Sequence, residues 1–387
     1  MKKSAILLVV LLGCLSLYTP AQSGRRTKTV PTPAPTPQAE TPDVYSESKP
    51  SNSQIISPNP TKEKNRKKET PAPTPTTPQT AETTGDDEAI KVETNLITIP
   101  VSVYEKSGVY VGDLGKSDFK IFEDGKEQEI AYFGTSEQPF SVILLIDTSP
   151  STSFKIEEIQ NAAIAFVDQL KTQDKVMVIS FDSSPHVLTD FTNERQKIYK
   201  AIRRTSFGNG TTLYEAVETA LRRKLNKIDG RKAVVLFTDG VDTASSGASF
   251  DSTLNEAEEA DATIFPIYYN TFFENRGIGG GGVMSTPPTI GFPQGMGAPT
   301  SADYARGRVY LEGLAQATGG KMFRAESTVG GLNAAFEGIA KELRSQYNIG
   351  YYPEDEGTPG QRKQIKVRVR RANVAVRARD SYIVAPK

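Results

Sequence analysis

Five consecutive apolar residues, Val142 to Ile146, constrain this chain most, because the run stops abruptly at Asp147. A stretch of that length and branching suits a strand buried on both faces of a sheet. Asp147, Ser149 and Ser151 follow, alternating with Thr148 and Pro150, so short oxygen-bearing side chains gather where the strand breaks into a loop. A helical pattern begins after Ser153, with Ile156, Ile159, Ala163, Phe166 and Leu170 keeping its spacing. Oxygen donors at the carboxyl end of a central strand stand where an open α/β sheet builds its binding site. Hard divalent cations favour such donors.

Downstream, strands and helices alternate. Lys175 to Phe181, Ala233 to Phe237, Thr263 to Tyr269 and Lys321 to Arg324 read as strands. Asn193 to Arg204, Leu213 to Leu225, Phe250 to Ala260, Tyr310 to Ala317 and Leu332 to Arg344 read as helices. This order predicts an α/β domain with a doubly wound, mostly parallel sheet. Two more loops then fall at the same sheet edge as Asp147. Gly208-Asn209-Gly210-Thr211-Thr212 is a glycine-rich turn ending in hydroxyls before a helix, and Thr238-Asp239-Gly240 follows a buried strand.

The three segments together resemble the von Willebrand factor A domain and its metal-ion-dependent adhesion site. The family pattern is D-x-S-x-S after the first strand, a Thr in a later Gly-Thr loop, and the Asp of T-D-G. The resemblance implies a Mg²⁺ site, open to Mn²⁺ or Ca²⁺, formed by Asp147, Ser149, Ser151, Thr211 and Asp239. Ser149, Ser151 and Thr211 would touch the metal directly, and Asp147 and Asp239 directly or through water. One coordination position would remain for a carboxylate of an Asp or Glu on a protein partner. Two carboxylates with neutral hydroxyls leave a dication incompletely screened, which favours that incoming charge.

The flanks extend the likeness. Asp118 to Ile130, with its Asp124-Gly125 hairpin signal, and Tyr347 to Tyr351 followed by basic alternating strands are similar to a bacterial exported "VWFA-related" family. The expected division is a signal peptide (1–21), a disordered Pro/Thr-rich linker (22–87), a small β unit (88–138), the A domain (139–346) and a C-terminal β extension (347–387). Within the A domain, 270–308 reads as a long Gly/Pro-rich insert, for which disorder is favoured over function. Gly277, Gly279 and Gly282 satisfy G-x-G-x-x-G literally, but no βαβ unit surrounds them. Leu114-Gly115-Lys116-Ser117 lacks the first glycine of a phosphate-binding loop and the helix that should follow.

Lys2 and Lys3 before the short apolar stretch Ala5 to Leu17 form an export signal, with Thr19-Pro20-Ala21 as the cleavage region. The expected location is therefore periplasmic, secreted or cell-surface, with association to the cell envelope. Leu11-Leu12-Gly13-Cys14 offers a lipoprotein-type alternative through Cys14, disfavoured by the apolar residues after the cysteine. The linker holds 12 of the chain's 25 prolines and almost no large apolar residues, so burial cannot offset its ordering entropy. About sixty residues in polyproline geometry would reach roughly 180 Å, a stalk or a passive spacer.

Lys+Arg and Asp+Glu are equal at 46 each, which supplies no bulk charge for nucleic acid. With one Cys and one His, neither a disulfide framework nor a Cys/His zinc site can be built. The alternation of Ile365, Val367 and Val369 with Lys366, Arg368 and Arg370 reads as a strand with a solvated basic face. Asp113 and Asp118 have no assignable partner in the sequence. The resulting expectation is a non-enzymatic, metal-dependent binding module. A metal-assisted hydrolase at the same site is the enzymatic alternative, but no general base or G-x-S-x-G accompanies it. A structural or assembly role with a vestigial metal site is the third reading.

Overall fold

The computed structural model describes residues 45–49, 96–135, 138–269, 299–325 and 330–384. The expected signal peptide, most of the linker and residues 270–298 of the insert lie outside the described residues. Among the described residues no helix is long and apolar enough to cross a membrane.

In chain order the strands are β1 (Ser46–Glu47), β2 (Ile97–Glu105), β3 (Phe119–Glu123), β4 (Lys126–Gln128), β5 (Ile130–Gly134), β6 (Phe140–Asp147), β7 (Lys175–Phe181), β8 (Pro185–Thr192), β9 (Arg231–Thr238), β10 (Thr263–Tyr268), β11 (Phe323–Arg324), β12 (Tyr347–Tyr351), β13 (Arg362–Val369), β14 (Val374–Arg377) and β15 (Ser381–Ile383). The α-helices are α1 (Ile156–Gln169), α2 (Arg195–Arg203), α3 (Leu213–Glu218), α4 (Phe250–Glu259), α5 (Ser301–Ala317) and α6 (Gly331–Arg344).

The central sheet runs β11-β10-β9-β6-β7-β8. Its pairings are parallel except for β8, which lies antiparallel to β7 at one edge. Alternate residues of β6 enter different cores, which makes the sheet doubly wound. Val142, Leu144 and Ile146 pack with α1, α2 and α6, whereas Ile143 and Leu145 pack with α3, α4 and α5. Burial on both faces explains the unbroken apolar run that the sequence displays.

The two β segments expected at 88–138 and 347–387 share both sheets of one sandwich. One sheet has the order β14-β2-β12-β5; the other has β1-β13-β3-β4, with β15 also pairing β13. Val101 of β2 stands opposite Tyr347 of β12, and Ile121 of β3 opposite Val367 of β13. The α/β domain is thus inserted between β5 and β12, themselves antiparallel neighbours with Gly134 facing Asn348. Asp124 and Gly125, both at positive φ (46° and 85°), turn β3 into β4, as the Asp-Gly signal requires.

Two buried arginines donate to carbonyls near helix ends, where cations are favoured; Arg231 braces β9 against α6 within the α/β domain, and Arg379 fastens the sandwich to that domain. Arg231 donates to Leu343 O (3.2 Å) and stacks on Phe140. Arg379 donates to Glu258 O in the last turn of α4 and to Ala260 O just beyond it (3.2 Å).

Several expectations need correction. Residues 45–49, assigned to the disordered linker, carry β1. Glu47 pairs with Lys366 and Arg368 (2.5 and 2.6 Å), while Ser48 exchanges hydrogen bonds with Val367. The basic face of β13 is solvent-exposed as expected, and acidic groups from distant segments pair with it there. Asp118 and Asp113 find partners in the same way, in Arg370 (3.6 Å) and Arg371 (2.8 Å). Residues 301–308, assigned to the insert, belong to α5, which Thr300 and Asp303 cap reciprocally. The helix expected at Leu213 to Leu225 keeps α geometry only to Glu218, then widens to a π turn and tightens to a 3₁₀ turn.

Candidate metal centre

The carboxyl edge of the central sheet carries the predicted residues. β6 ends at Asp147, which is fully buried. Its Oδ1 accepts from the N–H of Ser149 (2.9 Å), an Asx turn that folds the D-T-S-P-S loop back over the strand end. Thr152 secures the same loop from below by donating to Ser149 O (2.8 Å) and Asp147 O (3.2 Å). The hydroxyls of Ser149 and Ser151 come within 3.0 Å of each other. Three oxygen-bearing side chains thus gather above one strand end.

β9, the neighbour of β6, ends at Thr238 and delivers Asp239 to the same edge. Thr238 links the two strands directly, donating its hydroxyl to Asp147 Oδ2 (2.7 Å) and accepting from Gly240 N (3.0 Å). Asp239, buried as well, accepts from Val241 N (3.1 Å). Gly240 sits at φ 82°, and a Cβ there would come within 2.8 Å of the backbone of Gly307 in α5. Glycine is needed on both sides of that contact.

The third loop is tied to the other two. Gly208 N donates to Thr148 O (3.2 Å), and Thr212 binds Asp182 O through its N–H (2.7 Å) and hydroxyl (3.0 Å). Thr211 is buried, and its N–H donates to Thr243 Oγ1 (2.9 Å) just beyond the T-D-G turn. The structure therefore brings Asp147, Ser149, Ser151 and Asp239 together and sets the Thr211 loop against them.

Electrostatics sharpen the picture. Burial, with the neighbouring Asp239 second, pushes the Asp147 carboxyl up to about 7. Two carboxylates held this close in a desolvated place repel each other, and a positive charge between them removes the penalty. Among the described residues no group of three or more His, Cys, Asp or Glu side chains could hold a metal. The donor set here is two carboxylates completed by hydroxyls, all oxygen, which fits a hard divalent ion.

Three contributors lay outside the expected ligand set. Thr238 was visible as the first letter of T-D-G, and Thr152 as one more hydroxyl in the loop. Tyr269, directly after β10, is the third. Its ring stacks on Phe237 (centroids 4.4 Å apart, planes 13° apart), and its buried hydroxyl lies near Thr152 without closing a hydrogen bond of ordinary length and angle.

Residues 142–241 match the family model described as von Willebrand factor type A domain. No curated protein matches the chain. Among solved structures, the von Willebrand domain of the type V pili tip protein Mfa5 from Porphyromonas gingivalis is 15% identical, with 53% of this chain and 95% of that chain covered and a TM-score of 0.39. The conserved hypothetical protein BatB from Bacteroides thetaiotaomicron is 18% identical, covering 53% of this chain and 97% of its own at a TM-score of 0.39. A von Willebrand factor type A protein from Catenulispora acidiphila is 11% identical, with 76% and 74% covered and a TM-score of 0.41.

Proposed function

We propose that this chain, which carries a von Willebrand factor type A domain, is an exported protein-binding module whose adhesion depends on a divalent cation. The observation that carries the reading is the pairing of Asp147 and Asp239, two buried carboxylates from neighbouring strand ends joined through Thr238. Such a pair is costly by itself and becomes favourable around a cation. Asp147, Ser149, Ser151, Thr211 and Asp239 would hold Mg²⁺, or Mn²⁺ in its place. When bound, the ion supplies a positive centre able to take a carboxylate from a partner's Asp or Glu.

The protein's own part is positioning. The Asx turn at Asp147, the Thr238 bridge and the Gly208 and Thr243 contacts fix three loops before any ligand arrives, so little ordering is left for binding to oppose. Export is proposed from Lys2, Lys3 and the apolar stretch that follows them.

Titration calorimetry with Mg²⁺ and Mn²⁺ tests the centre: the wild-type chain should bind one ion, and Asp147→Ala and Asp239→Ala should bind none. Affinity capture from an envelope extract, with Mg²⁺ and with chelator side by side, tests the adhesive role. Ion binding that persists in both variants would remove the centre, and capture indifferent to chelator would remove the metal from the adhesion.

A further inference from the structure

Tyr269 is a costly residue where it stands. A phenol buried without a well-formed hydrogen bond forfeits the solvation of its hydroxyl, and the nearby Thr152, whose hydroxyl already donates to Asp147 O and Ser149 O, closes none of ordinary geometry with it. Its position is set by pairing: β10 runs parallel to β9 with Tyr268 opposite Thr238, so the next residue on each strand is Tyr269 on one and Asp239 on the other. The ring is held there by stacking on Phe237. Burial first, and then the charges of Asp147 and Asp239, raise this phenol far above its ordinary range, so it keeps its proton and can only donate to an anionic neighbour.

We infer that Tyr269 is a positioning residue of the metal centre, whose hydroxyl donates a hydrogen bond into the oxygen cage when the cation is bound. This rests on the proposed metal site and adds a donor that the family motif does not contain. The physical reason is that a dication holds both carboxylates ionised, and ionised carboxylates accept stronger hydrogen bonds than neutral ones. The hydroxyl then has work in the loaded state that it lacks otherwise.

The reading makes two measurements on Tyr269→Phe move in opposite directions. Without metal, deleting a hydroxyl that closes no ordinary hydrogen bond should leave the melting temperature unchanged or raise it. With metal, Mn²⁺ affinity by calorimetry should fall about tenfold, the loss of one hydrogen bond to a charged group. A spectroscopic check is available because the chain has no tryptophan: Tb³⁺ emission excited through tyrosine should be strong in the wild type and much weaker in Tyr269→Phe. Tyr304→Phe, altering a second buried tyrosine, serves as the comparison and should keep most of the emission.

A lower metal-free melting temperature in Tyr269→Phe would show the hydroxyl to be an ordinary structural partner and overturn the inference. Equal Mn²⁺ affinity with undiminished Tb³⁺ emission would overturn it too, while leaving the metal centre standing. A wild-type chain that binds neither ion would instead remove the centre itself.

Discussion

At the scale of single residues, Asp147 connects acidity to ion binding. Its carboxyl, raised to about 7, keeps a proton over a range where an exposed aspartate would be ionised. A cation must displace that proton, so Mn²⁺ affinity should climb between about pH 6 and 8, with proton release on binding. The stability sign follows from the same shift. Between about pH 4 and 7 the folded metal-free chain binds more protons than the unfolded chain, so its stability falls as pH rises through that window. Excess metal should reverse the trend by favouring the ionised carboxylate. Thermal melts at pH 5 and 8, with and without Mn²⁺, check both signs; a metal effect of equal size at the two values would contradict them.

At the scale of elements, the T-D-G turn and α5 depend on one close contact. A Cβ on Gly307 would fall 2.3 Å from Gly240 O, where neither backbone has room to yield. Gly307→Ala should therefore destabilise the fold by about 1–3 kcal/mol, as overpacking does, and weaken Mn²⁺ binding by displacing the Asp239 turn. Denaturant titration beside calorimetry reads the two effects.

The parallel strands were legible in the sequence because burial on both faces leaves continuous apolar runs, as in β6 and β9. β8 was not, since none of its residues is fully buried and its pattern is polar and mixed. α5 was shortened because Ser301-Ala302-Asp303 resembles loop sequence, although it is the capped first turn of a helix. The Asp and Ser/Thr residues of the centre stood out through their place after strands. Tyr269 did not, because a tyrosine after an apolar strand reads as core, and its lack of a well-formed hydrogen bond can be seen only in three dimensions.

At the scale of the whole molecule, the sandwich is the less local structure, pairing β2 with β12 across the entire inserted domain. Pairings so distant in sequence leave no signature in either segment alone, so the two read as separate units. Truncation after Ser345 should strip Tyr347, Ile349 and Tyr351 from the core they share with Ile99 and Val101, leaving a chain that aggregates on expression. Glu47→Ala, by contrast, should cost less than about 1 kcal/mol, because its ion pairs with Lys366 and Arg368 are exposed. Soluble yield of the truncation and a salt series on the Glu47→Ala melt check the contrast.

The paired strands β5 and β12, which lead into and out of the α/β domain, have a mechanical consequence. A protein bound at the Asp147 edge, as proposed, would transmit tension to the sandwich through two adjacent strands at once, each hydrogen-bonded to the other. The pull is divided between the two tethers before it reaches the rest of the sandwich. The α/β domain is thereby anchored in β structure built from both of its flanks.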